Sequence, residues 1–135
     1  MMKVNLCYTM SMSSVFSKII TGEIPCYKIY EDEKTLAFLD IEPEAVGHTL
    51  VVPKVEVEKV YELPDEYYDA VMATVKKLAK HYDKILNTRI TLKVVGIDVP
   101  HAHVHILPFD EYFESDKKPE LSEADFKALQ EKLKL

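Results

Sequence analysis

The chain has 135 residues, 47% of them hydrophobic, which suits one packed domain and is too short for two. A formal charge of −6 and a single arginine, Arg89, exclude a phosphate-backbone binder of polymeric nucleic acid, which needs clustered Lys and Arg. Cys7 and Cys26 make neither a disulfide framework nor a zinc knuckle and fit a cytoplasmic setting, and no segment has the shape of a signal peptide or the length of a membrane span. Residues 1–12 read as a leader without fixed structure, and residues 13–135 as a single domain. Ser13 and Ser14 are N-cap candidates for a short helix through Val15, Phe16, Ile19 and Ile20, closed by Gly22. Two β-rich runs, Cys26–Tyr30 and Thr35–Ile41, flank a polar tetrapeptide and read as a hairpin; after the loop 42–47 comes a third strand, His48–Pro53.

Pro64 with Asp65 and Glu66 starts a long amphipathic helix, whose apolar positions Val71, Val75, Leu78, Tyr82 and Leu86 recur at three- and four-residue steps. A fourth strand over 89–95, a turn at 96–100 with Gly96 in positive φ, and a fifth strand over 101–107 follow. A weak helix around 124–135 ends the chain. The order gives an α+β fold, with about five mainly antiparallel strands, one long helix and short terminal helices.

Three of the five histidines stand at His101, His103 and His105, alternating with Ala102, Val104 and Ile106, so a strand projects all three onto one face. Imidazoles on a half-buried strand each need a hydrogen-bond partner, which favours a site over a bland polar face. Two chemistries use that face equally well. One imidazole can attack phosphorus while its neighbours donate to the phosphoryl oxygens, or three neutral imidazoles can hold zinc with an open position for water. His81 in the long helix reads as a surface or boundary residue.

The run His101-Ala102-His103-Val104-His105-Ile106-Leu107 resembles the signature of the histidine-triad nucleotide hydrolases. The stretches Phe16–Pro25, Leu36–Ile41 and Gly47–Lys54 are similar to that family's amino-terminal segments in order and spacing. The resemblance implies a HIT-like fold and cleavage at the α-phosphorus of purine nucleoside phosphoramidates or adenylated compounds. His103 would be the nucleophile, with His101, His105 and His48 positioning and polarising around it, and no cofactor. It further implies that Asp40 holds the ribose hydroxyls, and that Phe16, Ile19, Phe38, Leu39 and Ile41, core residues by default, form the base slot. A homodimer with joined sheets is the implied assembly, without nucleic-acid or membrane partners. Dinucleoside polyphosphate hydrolysis, a tris-histidine zinc hydrolase and a nucleotide-binding module remain the alternatives.

The chain departs from the family pattern in three places. Gly96-Ile97-Asp98 stands where many relatives carry Gly-Gln-Ser, so Ile97 has no hydrogen bond to offer a phosphate and Asp98 must be protonated to donate toward the leaving group. The usual upstream asparagine is missing, leaving Lys54 or a partner subunit for phosphate contacts. Ser14 and Ser17 replace the Cys-x-x-Cys pair that holds a structural zinc in some bacterial relatives, so no such zinc is expected.

Overall fold

Ser14 accepts the Ser17 N–H at 3.1 Å and caps helix α1 (Val15–Ile20), while Gly22, at φ 86°, turns the chain out of it. The computed structural model describes residues 14–97 and 99–135; the expected leader, Ser13 and Asp98 lie outside the described residues. Strands β1 (Lys28–Glu31), β2 (Thr35–Leu39), β3 (Thr49–Pro53), β4 (Ile90–Lys93) and β5 (Val104–Pro108) form one sheet in the order β1-β2-β3-β5-β4, with every pairing antiparallel. Helix α2 (Asp65–Leu86) begins after Pro64 as expected and ends at Asn87, which takes the left-handed conformation at φ 51°. Helix α3 (Glu123–Leu133) opens on a capping box between Ser122 and Asp125.

The sheet is buried on both faces, because β2, β3 and β5 carry apolar or small residues apart from His105 and every residue in them is buried. On one face Ala37, Leu39, Val51, Val104 and Ile106 pack with Val71, Val75, Leu78 and Tyr82 of α2 and with Phe126 and Leu133 of α3. Each fully buried side chain of this size contributes about 1.5–3 kcal/mol, so this layer holds α2 in place. The alternate residues Leu36, Phe38, Leu50 and Val52 cover the other face together with Phe16 of α1.

The fifth strand is shorter at its start than the expected run over 101–107. The antiparallel register pairs Leu50 with His105 and Val51 with Val104, and continuing it brings Ala102 opposite Pro53, which has no N–H for the ladder. Instead the Ala102 N–H reaches the Val57 carbonyl at 2.7 Å, and the His101 N–H reaches the Val99 carbonyl at 2.8 Å. His101 and His103 therefore lie on an extended approach to the strand, not in its ladder. Among the described residues no helix is long and apolar enough to cross a membrane.

Candidate active site

Cross-strand register assembles the site. Phe38 of β2 faces Leu50 of β3, Leu50 faces His105 of β5, and His105 faces Lys93 of β4, so these four side chains form a row on one face of the sheet. Helix α1 lies over that row and leaves a cleft of about 290 Å³, small for a ligand site but room enough for a base and its sugar. His103 and His105 line it. Phe16, Ile19 and Phe38 line it too, with Leu39, Asp40 and Ile41. Phe16 meets the His103 ring edge-on, with centroids 5.0 Å apart. All the base-slot residues expected from sequence are thus gathered here, together with Leu50, Cys26 and Val99, which sequence reading did not include. Leu50 was legible, since it alternates with Val51 on a buried strand; Cys26 and Val99 carry no signal in the sequence.

A larger cleft, of about 380 Å³, is lined by Glu44, Lys93, Asp110, Phe113 and Lys118. The smaller one is the candidate site, because it is lined by His103, His105 and Asp40. Lys54, a candidate phosphate contact, is instead ion-paired with Glu31 at 2.6 Å.

The hydrogen bonds fix the proton on each imidazole, because a backbone carbonyl only accepts and a backbone N–H only donates. His103 Nδ1 lies 2.7 Å from the His101 carbonyl and so carries a proton, which in the neutral ring makes Nε2 the basic nitrogen. His48 Nδ1 receives the Glu44 N–H at 3.0 Å, which puts the His48 proton on Nε2, and Nε2 donates to His105 Nδ1 at 2.9 Å. His105 in turn keeps its proton on Nε2. As neutral rings the nucleophile candidate thus offers a basic nitrogen and its neighbour a donor, the first set directly by the His101 carbonyl and the second through His48 by the Glu44 N–H.

His48 is 2% exposed, and burial, reinforced by the neighbouring His105, pushes its pKa down to about 4. That agrees with a ring whose Nδ1 is committed as an acceptor. The loop that supplies Glu44 is itself anchored. Asp40 N–H bonds the His48 carbonyl, Asp40 Oδ1 takes the Glu42 N–H at 2.8 Å, and Asp110 Oδ2 takes the Val46 N–H at 2.9 Å. Gly47, just before His48, sits at φ 95°, a conformation that favours glycine, and a Cβ there would stand 3.3 Å from the Pro108 side chain.

His101 is differently employed. Its Nε2 lies 3.0 Å from the Pro53 carbonyl and its Nδ1 lies 2.9 Å from Ser14 Oγ and 3.3 Å from Ser17 Oγ, and its side chain does not line the cleft. Burial holds its pKa below the usual value, opposed in part by the Pro53 hydrogen bond and by Glu56. Ser14 and Ser17 offer neutral hydroxyls already spent on hydrogen bonds, so the surroundings of His101 do not fit a zinc ion. The alternative set of His101, His103 and His105 is not brought to ligand spacing. Among the described residues the group close enough to share a cation is Asp40, His48 and His105, where the His48–His105 hydrogen bond already occupies both facing nitrogens.

Comparison with known proteins bears on the same residues. Residues 21–112 match the family described as HIT domain. The Hit protein of Bacillus subtilis is 45% identical over 100 residues, spanning 70% of this chain and 69% of that one. An adenosine 5′-monophosphoramidase of Saccharomyces cerevisiae is 37% identical over 105 residues, 74% of this chain and 65% of the yeast protein. Among solved structures, a Hit-like protein of Bartonella henselae superposes with a TM-score of 0.79 at 31% identity, covering 89% of this chain and 92% of its own.

Proposed function

This chain belongs to the HIT domain family and is an enzyme of the nucleotide-hydrolase class, and we propose that it cleaves purine nucleoside phosphoramidates or adenylated compounds at the α-phosphorus through His103. The observation that carries the reading is the His103 tautomer. With Nδ1–H held by the His101 carbonyl at 2.7 Å, the lone pair sits on Nε2 of a side chain that lines the cleft. The His103 Nε2–P bond forms as the bond from phosphorus to the leaving amine breaks, and the amine takes up a proton as it departs. Water then attacks the nucleotidyl-histidine, releasing the nucleoside monophosphate and restoring His103. His105, with its proton on Nε2, donates to a phosphoryl oxygen as charge develops. Asp98 is the proton donor to the leaving amine in this scheme, on its place in the sequence. Asp40 binds the ribose hydroxyls and the apolar slot takes the base.

The chain works as a homodimer in this reading. Strand β4 is an edge of the sheet, Leu92 on it and Val94 just beyond it are exposed, and pairing with the same strand of a second copy would cover them.

Intact-protein mass spectrometry after acid quench, with adenosine 5′-phosphoramidate as substrate, tests the mechanism alongside elemental analysis for zinc. Wild type gains one AMP and His103→Ala gains none. Absence of the adduct together with one zinc per chain would replace nucleophilic catalysis by metal-assisted hydrolysis. Tight AMP binding with neither adduct nor turnover would leave a binding module.

A further inference from the structure

The side chains of Ser14, Ser17, Glu56 and His101 form a cluster outside the cleft, Ser14 and His101 buried, Ser17 half-buried and Glu56 exposed, and the cluster touches the nucleophile through the His101 main chain. His101 supplies the carbonyl that holds His103 Nδ1–H, and the His101 ring is pinned at both ends, by Pro53 on the end of β3 and by the cap of α1. Counting hydroxyl hydrogens settles which serine donates. The Ser17 hydroxyl hydrogen is directed to Glu56 Oε2 at 3.2 Å, while Ser14 Oγ already accepts the Ser17 N–H. The Ser14 hydrogen therefore goes to His101 Nδ1, the nearer of its two acceptors at 2.9 Å against 3.4 Å for Ser17 Oγ.

From this we infer that Ser14 is a positioning residue for the proposed reaction: by capping α1 and donating to His101 with one hydroxyl, it ties the base-slot helix to the peptide that fixes the His103 tautomer. The inference rests on the reading of His103 as nucleophile. Two separate requirements meet in Ser14 Oγ. As an acceptor it satisfies the first turn of the helix that carries Phe16 and Ile19 into the cleft. As a donor it keeps His101 neutral with its proton on Nε2, so that the ring bonds Pro53 and the His101 peptide stays in place beneath His103. Loss of the donor leaves His101 Nδ1 with only the Ser17 hydroxyl, 3.3 Å away and directed to Glu56, so the ring must draw that hydrogen from Glu56, gain a proton or turn away; each of these shifts the peptide whose carbonyl holds His103 Nδ1.

Three substitutions separate these jobs. Ser14→Thr caps and donates. Ser14→Asp caps as well as serine does but accepts only, so it draws a proton onto His101 Nδ1. Ser14→Ala does neither. Imidazole 15N NMR of the substrate-free protein reads the tautomers directly, and quenched-flow mass spectrometry with adenosine 5′-phosphoramidate reads the rate of adduct formation. AMP titration reads the slot. The expected result for Ser14→Asp is a melting temperature and AMP affinity near wild type, a His101 ring protonated on both nitrogens, and adduct formation slower by about tenfold or more, the scale of losing a supporting hydrogen bond around a reacting group. Ser14→Thr should restore the wild-type rate and tautomers, and Ser14→Ala should lose both rate and AMP affinity. A Ser14→Asp protein that keeps wild-type tautomers, or one that forms adduct at the wild-type rate, overturns the inference and leaves Ser14 a helix cap. Failure of Ser14→Thr to restore the rate overturns it too. If wild type itself forms no adduct, the function fails while the tautomer change in Ser14→Asp still decides the positioning role.

Discussion

Acidification should weaken the fold through His48, and the amount can be worked from its surroundings. The ring is 2% exposed, Nδ1 takes the Glu44 N–H, and its pKa falls from 6.5 to about 4 in the folded chain. Between those two values the unfolded chain binds the proton and the folded chain does not, so stability is whole above pH 6.5 and drains away as the pH falls toward 4. Linkage at 1.36 kcal/mol per unit gives a loss of about 2 kcal/mol between pH 8 and pH 5 from this one residue. His48→Asn is the control, because its amide oxygen still accepts the Glu44 N–H and has no proton to gain. Urea unfolding of both proteins at pH 8 and pH 5, at one fixed protein concentration, reads the difference. Wild type should lose about 2 kcal/mol more than the variant, a midpoint shift of roughly 1 M. Equal losses in the two proteins would mean that His48 is not held neutral, and the proton assignments for both His48 and His105 would fall with it.

The remaining expectations concern the slot, the edge and the last helix. Asp40→Asn keeps the turn through the Glu42 N–H, so it should raise KM for a ribonucleoside phosphoramidate about tenfold, the worth of one hydrogen bond to a charged group, and leave KM for the 2′,3′-dideoxy analogue unchanged. Leu92→Lys places a charge on the exposed edge strand β4 and should shift sedimentation toward monomer; an unchanged dimer would put the interface elsewhere. Ser122→Ala removes the capping box of α3, and thermal or urea unfolding should register a loss of about 1 kcal/mol with turnover intact.

What the sequence made legible was local and periodic. Helix α2 announced both its start, at Pro64 with two acids, and its buried stripe, because capping and a 3.6-residue period are properties of neighbours in the chain. The alternation around His103 was equally plain, since Ala102, Val104 and Ile106 do pack into the core beneath α2. The strand boundary at 101 was not, because it is set by Pro53, nearly fifty residues away, standing opposite Ala102 without an N–H. Ser14 was recognised as a cap and its second role was invisible, for nothing in the chain near residue 14 indicates that a hydroxyl there meets an imidazole 87 positions later.

The same distinction explains why three histidines of one motif have different duties. A strand alternation makes equivalent positions, but equivalence ends at the hydrogen bonds. His101 faces the Pro53 carbonyl and the Ser14 hydroxyl, so its ring is a strut; His103 faces the carbonyl of His101, so it is left with a lone pair; His105 faces the N–H of His48, so it is left with a donor. Each outcome is decided by whether the nearest fixed group is an acceptor or a donor. A phosphorus centre needs a lone pair on one side and a donor at its oxygens, and a zinc ion needs lone pairs on all three rings. In neutral rings the partners leave one basic nitrogen and one donor at the cleft, which is the asymmetry the proposed covalent step requires.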